Sequence, residues 1–239
     1  MEKKKTIVEI QKKIEKLVII LGAGTSIKEG IEKGLWDKIR KYETWSLNSM
    51  YKIMPYLPTK ELWADRKFFD MNITELQIMC QRDKVELITK KNSRYNLIPE
   101  IIQRVSTTKV ENYAKEKDTL YTGRMGLVGL FALSLAVKEN YDKIYLLGYD
   151  WGTTSLKDTN THVYQDKIKQ LKIYSGGAGR PIVYFRPNGK LKDEINDFKT
   201  FNKDREKIIN VSIKSNINFF QKIDYLEFFK RIKEDKKYD

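Results

Sequence analysis

Cysteine and histidine are almost absent from this chain, which contains Cys80 and His162 as its single examples. One thiol cannot form an internal disulfide, and one thiol with one imidazole cannot supply the ligands of a common structural zinc site. A cofactor metal would therefore be Mg²⁺ held by carboxylate and phosphate oxygens. These scarcities exclude the disulfide-stapled and zinc-stabilised classes of domain.

Long hydrophobic runs are missing as well. The longest uninterrupted apolar stretch is residues 17–21, whereas a helix needs about 20 apolar residues to span a bilayer. The first residues are Glu2 and three lysines without an apolar signal core, so we expect a cytoplasmic protein. No Pro-rich or Ser-rich linker divides the 239 residues, which predicts one domain over 1–239.

Positive charge is in excess. The chain has 46 basic and 32 acidic residues and a formal net charge of +14, which favours anionic partners such as a nucleotide, nucleic acid or an acidic glycan. The excess is spread along lysine-rich amphipathic stretches, a pattern typical of a lysine-coated surface. Nucleic-acid binding is therefore the less favoured hypothesis.

The hydrophobic pattern predicts a single α/β domain of Rossmann-like type, with a mostly parallel sheet and helices on both faces. The apolar run at 17–21 is typical of a parallel strand that is buried on both sides, and the nearly all-round apolar stretch 126–138, followed by a strand at 143–148, predicts a crossover unit. The pattern predicts further strands at 42–47, 61–64 and 85–89 and a last strand at 208–211. It predicts helices at 2–16, 25–33, 73–80, 195–205 and 225–232. The stretch 97–105 is left open between strand and helix, and 151–192 is predicted to be a polar, glycine-rich loop or lid.

Open parallel sheets bind ligands outside the carboxyl ends of their strands, so the residues that directly follow strands are the candidate ligand contacts. Glycines in the first such turn let the backbone approach an anion, and the hydroxyls after them can donate to a phosphate. The turn lacks the third glycine of a dinucleotide fingerprint and the lysine of a P-loop, and a plain strand-to-helix turn is the alternative. The candidates are Gly22, Ala23, Gly24, Thr25, Ser26, Asn48, Asp65, Thr122, Gly123 and Asp150.

Four segments resemble a Rossmann-like group that includes small bacterial sialyltransferases, flagellin-modification proteins, hydroxymethylpterin diphosphokinase and uncharacterised phage proteins. The resemblance implies a strand ending in a nucleotide-contacting Asn48 and a Leu-Gly-x-Asp strand ending at Asp150. Thr25 stands where the group's opening motif has proline. The segments are 22–29, 42–48, 122–126 with the helix and strand that follow it to 150, and 208–229.

The resemblance implies three functions that the sequence leaves open. The first is a glycosyltransferase using a nucleotide-activated sugar without a metal cofactor, with His162 as general base. The second is a Mg²⁺-dependent diphosphokinase with Asp65 and Asp150 as metal ligands. The third is a non-catalytic phage accessory protein that binds nucleic acid or a host protein. Each of these assignments has an alternative interpretation. His162 is then a surface histidine without a role, and Asp65 forms a surface ion pair with its basic neighbours.

Overall fold

The protein is described here by a computed structural model covering residues 15–91, 102–108, 119–123, 127–151 and 195–235. Nine strands form one sheet, and each pair of neighbours is parallel. The strands are β1 (Leu17–Leu21), β2 (Thr44–Leu47), β3 (Lys60–Trp63), β4 (Glu86–Lys90), β5 (Gln103–Thr108), β6 (Thr119–Tyr121), β7 (Lys143–Leu147), β8 (Ile208–Asn210) and β9 (Gln221–Lys222).

Helices cover both faces of the sheet. Two 3₁₀ helices, Asn48–Ile53 and Phe198–Lys207, accompany the α-helices. The α-helices are α1 (Ile27–Glu32), α2 (Leu35–Ile39), α3 (Arg66–Gln81), α4 (Val128–Lys138) and α5 (Tyr225–Asp235). The predicted α/β class with a mostly parallel sheet is confirmed.

β1 is the central strand, as the apolar run predicted. It pairs with β2 on one side and β7 on the other, and the four residues 18–21 are fully buried. The strand order is β6-β5-β4-β3-β2-β1-β7-β8-β9. Strands β2 to β6 therefore extend from one side of β1 and β7 to β9 from the other, so the order reverses between β1 and β7, where open parallel sheets bind ligands.

Alternate residues of β1 enter two different cores. Val18 and Ile20 pack with α4 on one face, whereas Ile19 and Leu21 pack with α1, α2 and α5 on the other. Side chains in a strand alternate between the two faces, and both are apolar here because both are covered. α4 is buried nearly all round, which explains why its sequence has no polar stripe.

Several predicted boundaries change in the structure. α3 begins at Arg66 rather than 73 because Asp65 caps it, and residues 103–105 of the undecided stretch belong to β5. The prediction that 208–211 is the last strand was wrong, since β9 follows. Most of the predicted helix at 2–16 and of the lid at 151–192 lies outside the described residues. Within the described ranges, no helix has the length and apolarity needed to cross a membrane.

Candidate functional site

The turn after β1 is held tightly against the chain that follows β7. The Gly22 amide donates to the Leu147 carbonyl at 2.7 Å, and the Gly24 amide donates to the Gly148 carbonyl at 2.9 Å. A Cβ on Gly22 or Gly24 would lie 2.7 or 2.6 Å from the Gly148 oxygen, closer than real Cβ atoms approach. The two glycines are therefore needed for backbone packing, independently of any ligand.

Asp150 occupies the place where the sequence predicted a phosphate. Its Oδ2 accepts a hydrogen bond of 2.7 Å from the Ser26 amide, and a Cβ on Gly24 would lie 2.5 Å from the same oxygen. The turn thus holds the carboxylate of the protein itself, and a phosphate at this amide would meet a negative charge. Ala23 and Gly24 are half-buried, and Thr25 is exposed.

Two buried polar groups, those of Ser26 and Tyr225, lie near this carboxylate. The Ser26 hydroxyl and the Tyr225 phenol lie close to each other, but neither of them, nor the second oxygen of Asp150, Oδ1, makes a hydrogen bond of normal length and angle with a described residue. Burial raises the pKa of Tyr225, and the charges of Asp150 and Glu29 raise it further, while Ser26 lies close enough to oppose the shift. The phenol therefore stays protonated and can donate a hydrogen bond.

Two residues that are not glycine adopt left-handed backbone conformations at this edge of the sheet. Asn48, directly after β2, has φ 54°, and Trp151, directly after Asp150, has φ 57°. Asparagine tolerates this region, whereas a bulky residue there is strained and such strain clusters at functional sites. Asn48 Oδ1 and Trp151 Nε1 are also buried without a partner among the described atoms. The sequence pattern singled out Asn48 but not Trp151, whose signal was its place after the Leu-Gly-x-Asp motif.

Thr122 and Gly123 follow β6, the edge strand that is five strands away from β1 in the order of the sheet. Gly123 has φ 67°, and a Cβ there would lie 2.7 Å from Asp197 Oδ2. Trp151 links the two regions, because it follows Asp150 and its ring lies 4.7 Å from that of Phe198, the neighbour of Asp197. The candidate residues thus form two groups that are connected through Asp197, Phe198 and Trp151.

Asp65 has a structural task in this fold. Its Oδ1 accepts a 2.9 Å bond from the Lys67 amide and caps α3, while Arg66 pairs with Asp70 at 3.1 Å. β3 and β7 are three strand spacings apart, or about 14 Å, so Asp65 and Asp150 do not share one ion with Mg–O distances of about 2.1 Å. In the described part of the chain no cluster of three or more metal-ligating side chains occurs. A Mg²⁺ ion held by Asp150 and phosphate oxygens therefore stays a prediction.

His162, the predicted general base, lies outside the described residues. Its role also stays a prediction.

No protein family, curated protein or solved structure matches the chain. The kind of ligand that fits the carboxyl edge of the sheet must therefore be inferred from the polar atoms that lie there. The oxygens Asn48 Oδ1 and Asp150 Oδ1 only accept hydrogen bonds, the Ser26 hydroxyl accepts or donates, and Trp151 Nε1 donates. This set complements a ligand rich in hydroxyl and amino groups. Because the atoms are buried, such a ligand must displace neighbouring groups as it enters.

A second unpartnered acid lies deeper in the sheet and was not among the residues that the sequence pattern singled out. Glu61 in β3 is fully buried and stands in register with Ser46 of β2. Neither carboxyl oxygen completes a hydrogen bond with a described residue. Burial raises the pKa of Glu61 well above its ordinary value, and the charge of Glu75 adds to the shift, while Ser46 opposes it. The sequence signal that could have indicated a buried acid is the position of Glu61 inside a short predicted strand, directly before Leu62 and Trp63.

We expect Glu61→Gln to stabilise the protein at neutral and alkaline pH. The pKa of Glu61 is raised in the folded state, so above the ordinary glutamate value of about 4.3 the unfolded chain ionises while the folded chain does not. Stability therefore falls as pH rises through this interval, by up to about 1.4 kcal/mol per pH unit. The amide has no proton to lose and removes this slope, which urea unfolding at about pH 5 and about pH 8 measures.

The exposed Glu32→Gln is the control, since it removes one acidic group without changing the core. A Glu61→Gln protein with the same pH slope as the parent would show that Glu61 is ionised in the folded state.

Proposed function

We propose that the carboxyl edge of the sheet between β1 and β7 binds the nucleoside part of a nucleotide-activated sugar, and that the protein is a glycosyltransferase-like transferase. The observation that supports this is the group of unpartnered polar atoms of Ser26, Asn48 and Asp150, which follow three adjacent strands. A native fold leaves few buried polar groups unpaired, and such groups need an explanation. Their position at the reversal of strand order is where ligands bind in this class of sheet.

A nucleoside matches the chemistry of these atoms. Ribose hydroxyls and base amino groups donate hydrogen bonds, which Asp150 Oδ1 and Asn48 Oδ1 can accept. Hydrogen bonds to a charged acceptor are the stronger kind, so Asp150 would contribute most of the polar affinity. The phosphate must stay clear of the carboxylate, and the exposed Thr25 hydroxyl can donate to it at the outside of the turn.

The proposed reaction is transfer of the sugar from the nucleotide to an acceptor hydroxyl. His162 would take the hydroxyl proton as the oxygen bonds to the anomeric carbon, and the bond from that carbon to the phosphate oxygen breaks as the nucleotide leaves. The resemblance to sialyltransferases supports the role of His162. Pyrophosphate transfer is less favoured, because Asp65 caps α3 and is distant from Asp150.

The test is a thermal-shift screen of nucleoside monophosphates and nucleotide sugars, with and without Mg²⁺, followed by titration calorimetry of the best ligand. A selective ligand should raise the melting temperature, since it binds only the native state. Asp150→Asn should weaken its binding by about 10- to 100-fold, which corresponds to the loss of a charged hydrogen bond worth about 1.5–3 kcal/mol.

Asp65→Asn is the matched control, because it makes the same substitution at another aspartate that follows a strand and accepts a backbone amide. Its affinity should stay within about threefold of the parent, since it contributes a cap and no ligand contact. Equal weakening by both substitutions would contradict the proposed site. Binding that requires Mg²⁺ and is lost in Asp65→Asn would favour the diphosphokinase reaction instead.

A further inference from the structure

A basic groove lies between α2 and α5, at the end of the sheet opposite the proposed nucleotide site. Tyr42 lines it and precedes β2, whereas Asn48 follows the same strand, so the groove is at the amino edge. Its volume is about 530 Å³. Lysines form both walls and partly exposed aromatic rings lie between them: Lys38, Lys41, Tyr42, Phe229, Lys230 and Lys233.

The groove is narrow. The Tyr42 hydroxyl donates to the Ile232 carbonyl at 2.5 Å, and Lys38 Nζ lies 4.9 Å from the centre of the Phe229 ring. These contacts tie the two walls together. A groove of about 530 Å³ has the size of a small-molecule pocket, so it can hold a short segment of one extended chain and cannot enclose a duplex.

The charge of the groove is uncompensated. Asp37 is its one acidic residue against four lysines, and Lys41, Lys230 and Lys233 form no ion pair within the described ranges. Some basic side chains elsewhere on the surface do have acidic partners, as Lys33 has Glu29 and Arg231 has Glu227. Like charges gathered in one narrow space repel one another, and an anionic occupant relieves that repulsion.

We propose that this groove binds single-stranded nucleic acid. Lysine ammonium groups contact phosphates as point charges without reading sequence. Lys41 and Lys38 lie over the partly exposed rings of Tyr42 and Phe229, at 5.7 and 4.9 Å from the ring centres, and when these lysines turn to phosphates the rings offer faces on which bases stack. The combination of a positive groove and aromatic side chains is that of sequence-tolerant single-strand binding. An acidic peptide would match the lysines but would make no use of the rings as stacking surfaces. The proposal is independent of the nucleotide site at the other edge.

Fluorescence anisotropy with a labelled oligothymidine of about 20 nucleotides, longer than the ~4–16 nucleotides that one domain covers, tests the proposal on the full chain. Lys41→Glu with Lys233→Glu, one from each wall, should weaken binding by about tenfold or more at about 50 mM salt. The slope of log affinity against log salt should become shallower by about 1.4, because each lysine that no longer neutralises a phosphate reduces it by about 0.7. All of these side chains are exposed, and a thermal melt verifies folding.

Lys203→Glu with Lys214→Glu is the control, because both lysines are exposed, lie outside the groove and change the net charge equally. It should leave affinity within about twofold to threefold, since a distant charge acts only through the screened field. Equal weakening by the two double variants, or no binding at about 50 mM salt, would overturn the proposal. Equal affinity for polyglutamate or for a duplex of the same length would also overturn it, in favour of an acidic protein partner or a diffuse charge effect.

Discussion

Gly148→Ala should destabilise the fold by about 2–5 kcal/mol. Gly148 has φ 69°, and a Cβ there would lie 2.5 Å from the Gly22 oxygen and 2.9 Å from the Gly22 carbonyl carbon. A left-handed alanine costs about 1–2 kcal/mol, and overpacking a rigid contact adds about 1–3 kcal/mol. The atoms that must move are backbone, which cannot rotate away as a side-chain end can. Urea unfolding of the two proteins measures the difference in free energy.

Gly34→Ala separates the two contributions. Gly34 is also left-handed, with φ 77°, but the nearest atom to its Cβ position is Lys38 Nζ at 3.2 Å, the terminal atom of a flexible side chain. This substitution should cost about 1–2 kcal/mol, the conformational part alone. Equal destabilisation at the two positions would show that β1 and β7 separate freely at their carboxyl ends, contrary to the close backbone packing of Gly22 against Gly148.

His162→Ala should reduce turnover by about 10²–10⁴-fold while nucleotide affinity stays unchanged. The reason is that a general base acts on the acceptor hydroxyl in the transition state and does not touch the nucleotide, so the loss falls on kcat rather than on binding. Initial rates of nucleotide release from the donor, together with calorimetric titration of the nucleotide, measure the two quantities separately. The parent should also lose activity below about pH 6.5, where imidazole is protonated.

Added imidazole provides the control for this variant. It should restore part of the missing rate in His162→Ala, because it can enter the space left by the side chain and accept the proton. Such rescue would not occur if the histidine only supported the fold. Unchanged turnover in a folded His162→Ala protein would remove the general-base role and favour the pyrophosphate-transfer and binding-only alternatives.

The elements that the sequence predicted best are those whose burial is uniform. The stretches 17–21 and 126–138 are apolar in nearly every direction, which is stable only when both faces are covered, and their described parts, Leu17–Leu21 and Val128–Lys138, are a strand and a helix as expected. The strands at the edges of the sheet were harder to predict. β9 has only two residues and no apolar pattern, so nothing in its sequence distinguishes it from a loop.

The candidate site was found in part because its residues follow strand ends, and strand ends can be located from periodicity. The turn at 22–26, Asn48 and Asp150 were all selected in this way. Their partners could not be, because the Asp150–Ser26 bond joins residues 124 positions apart. The same limit explains why Thr122 was grouped with them: the order of strands in a sheet is not written in the spacing of residues along the chain.

By itself the sequence determined the α/β class, the central strand and the glycine turn, because these depend on local periodicity and on the backbone freedom of particular residues. Only the tertiary structure decided that Asp150 fills that turn, that Glu61 is enclosed without a partner, and that lysines from α2 and α5 face one another across a groove. Each of these is a meeting of segments far apart in the chain. Their charge, burial and distance exist only once the strands have taken their order in the sheet.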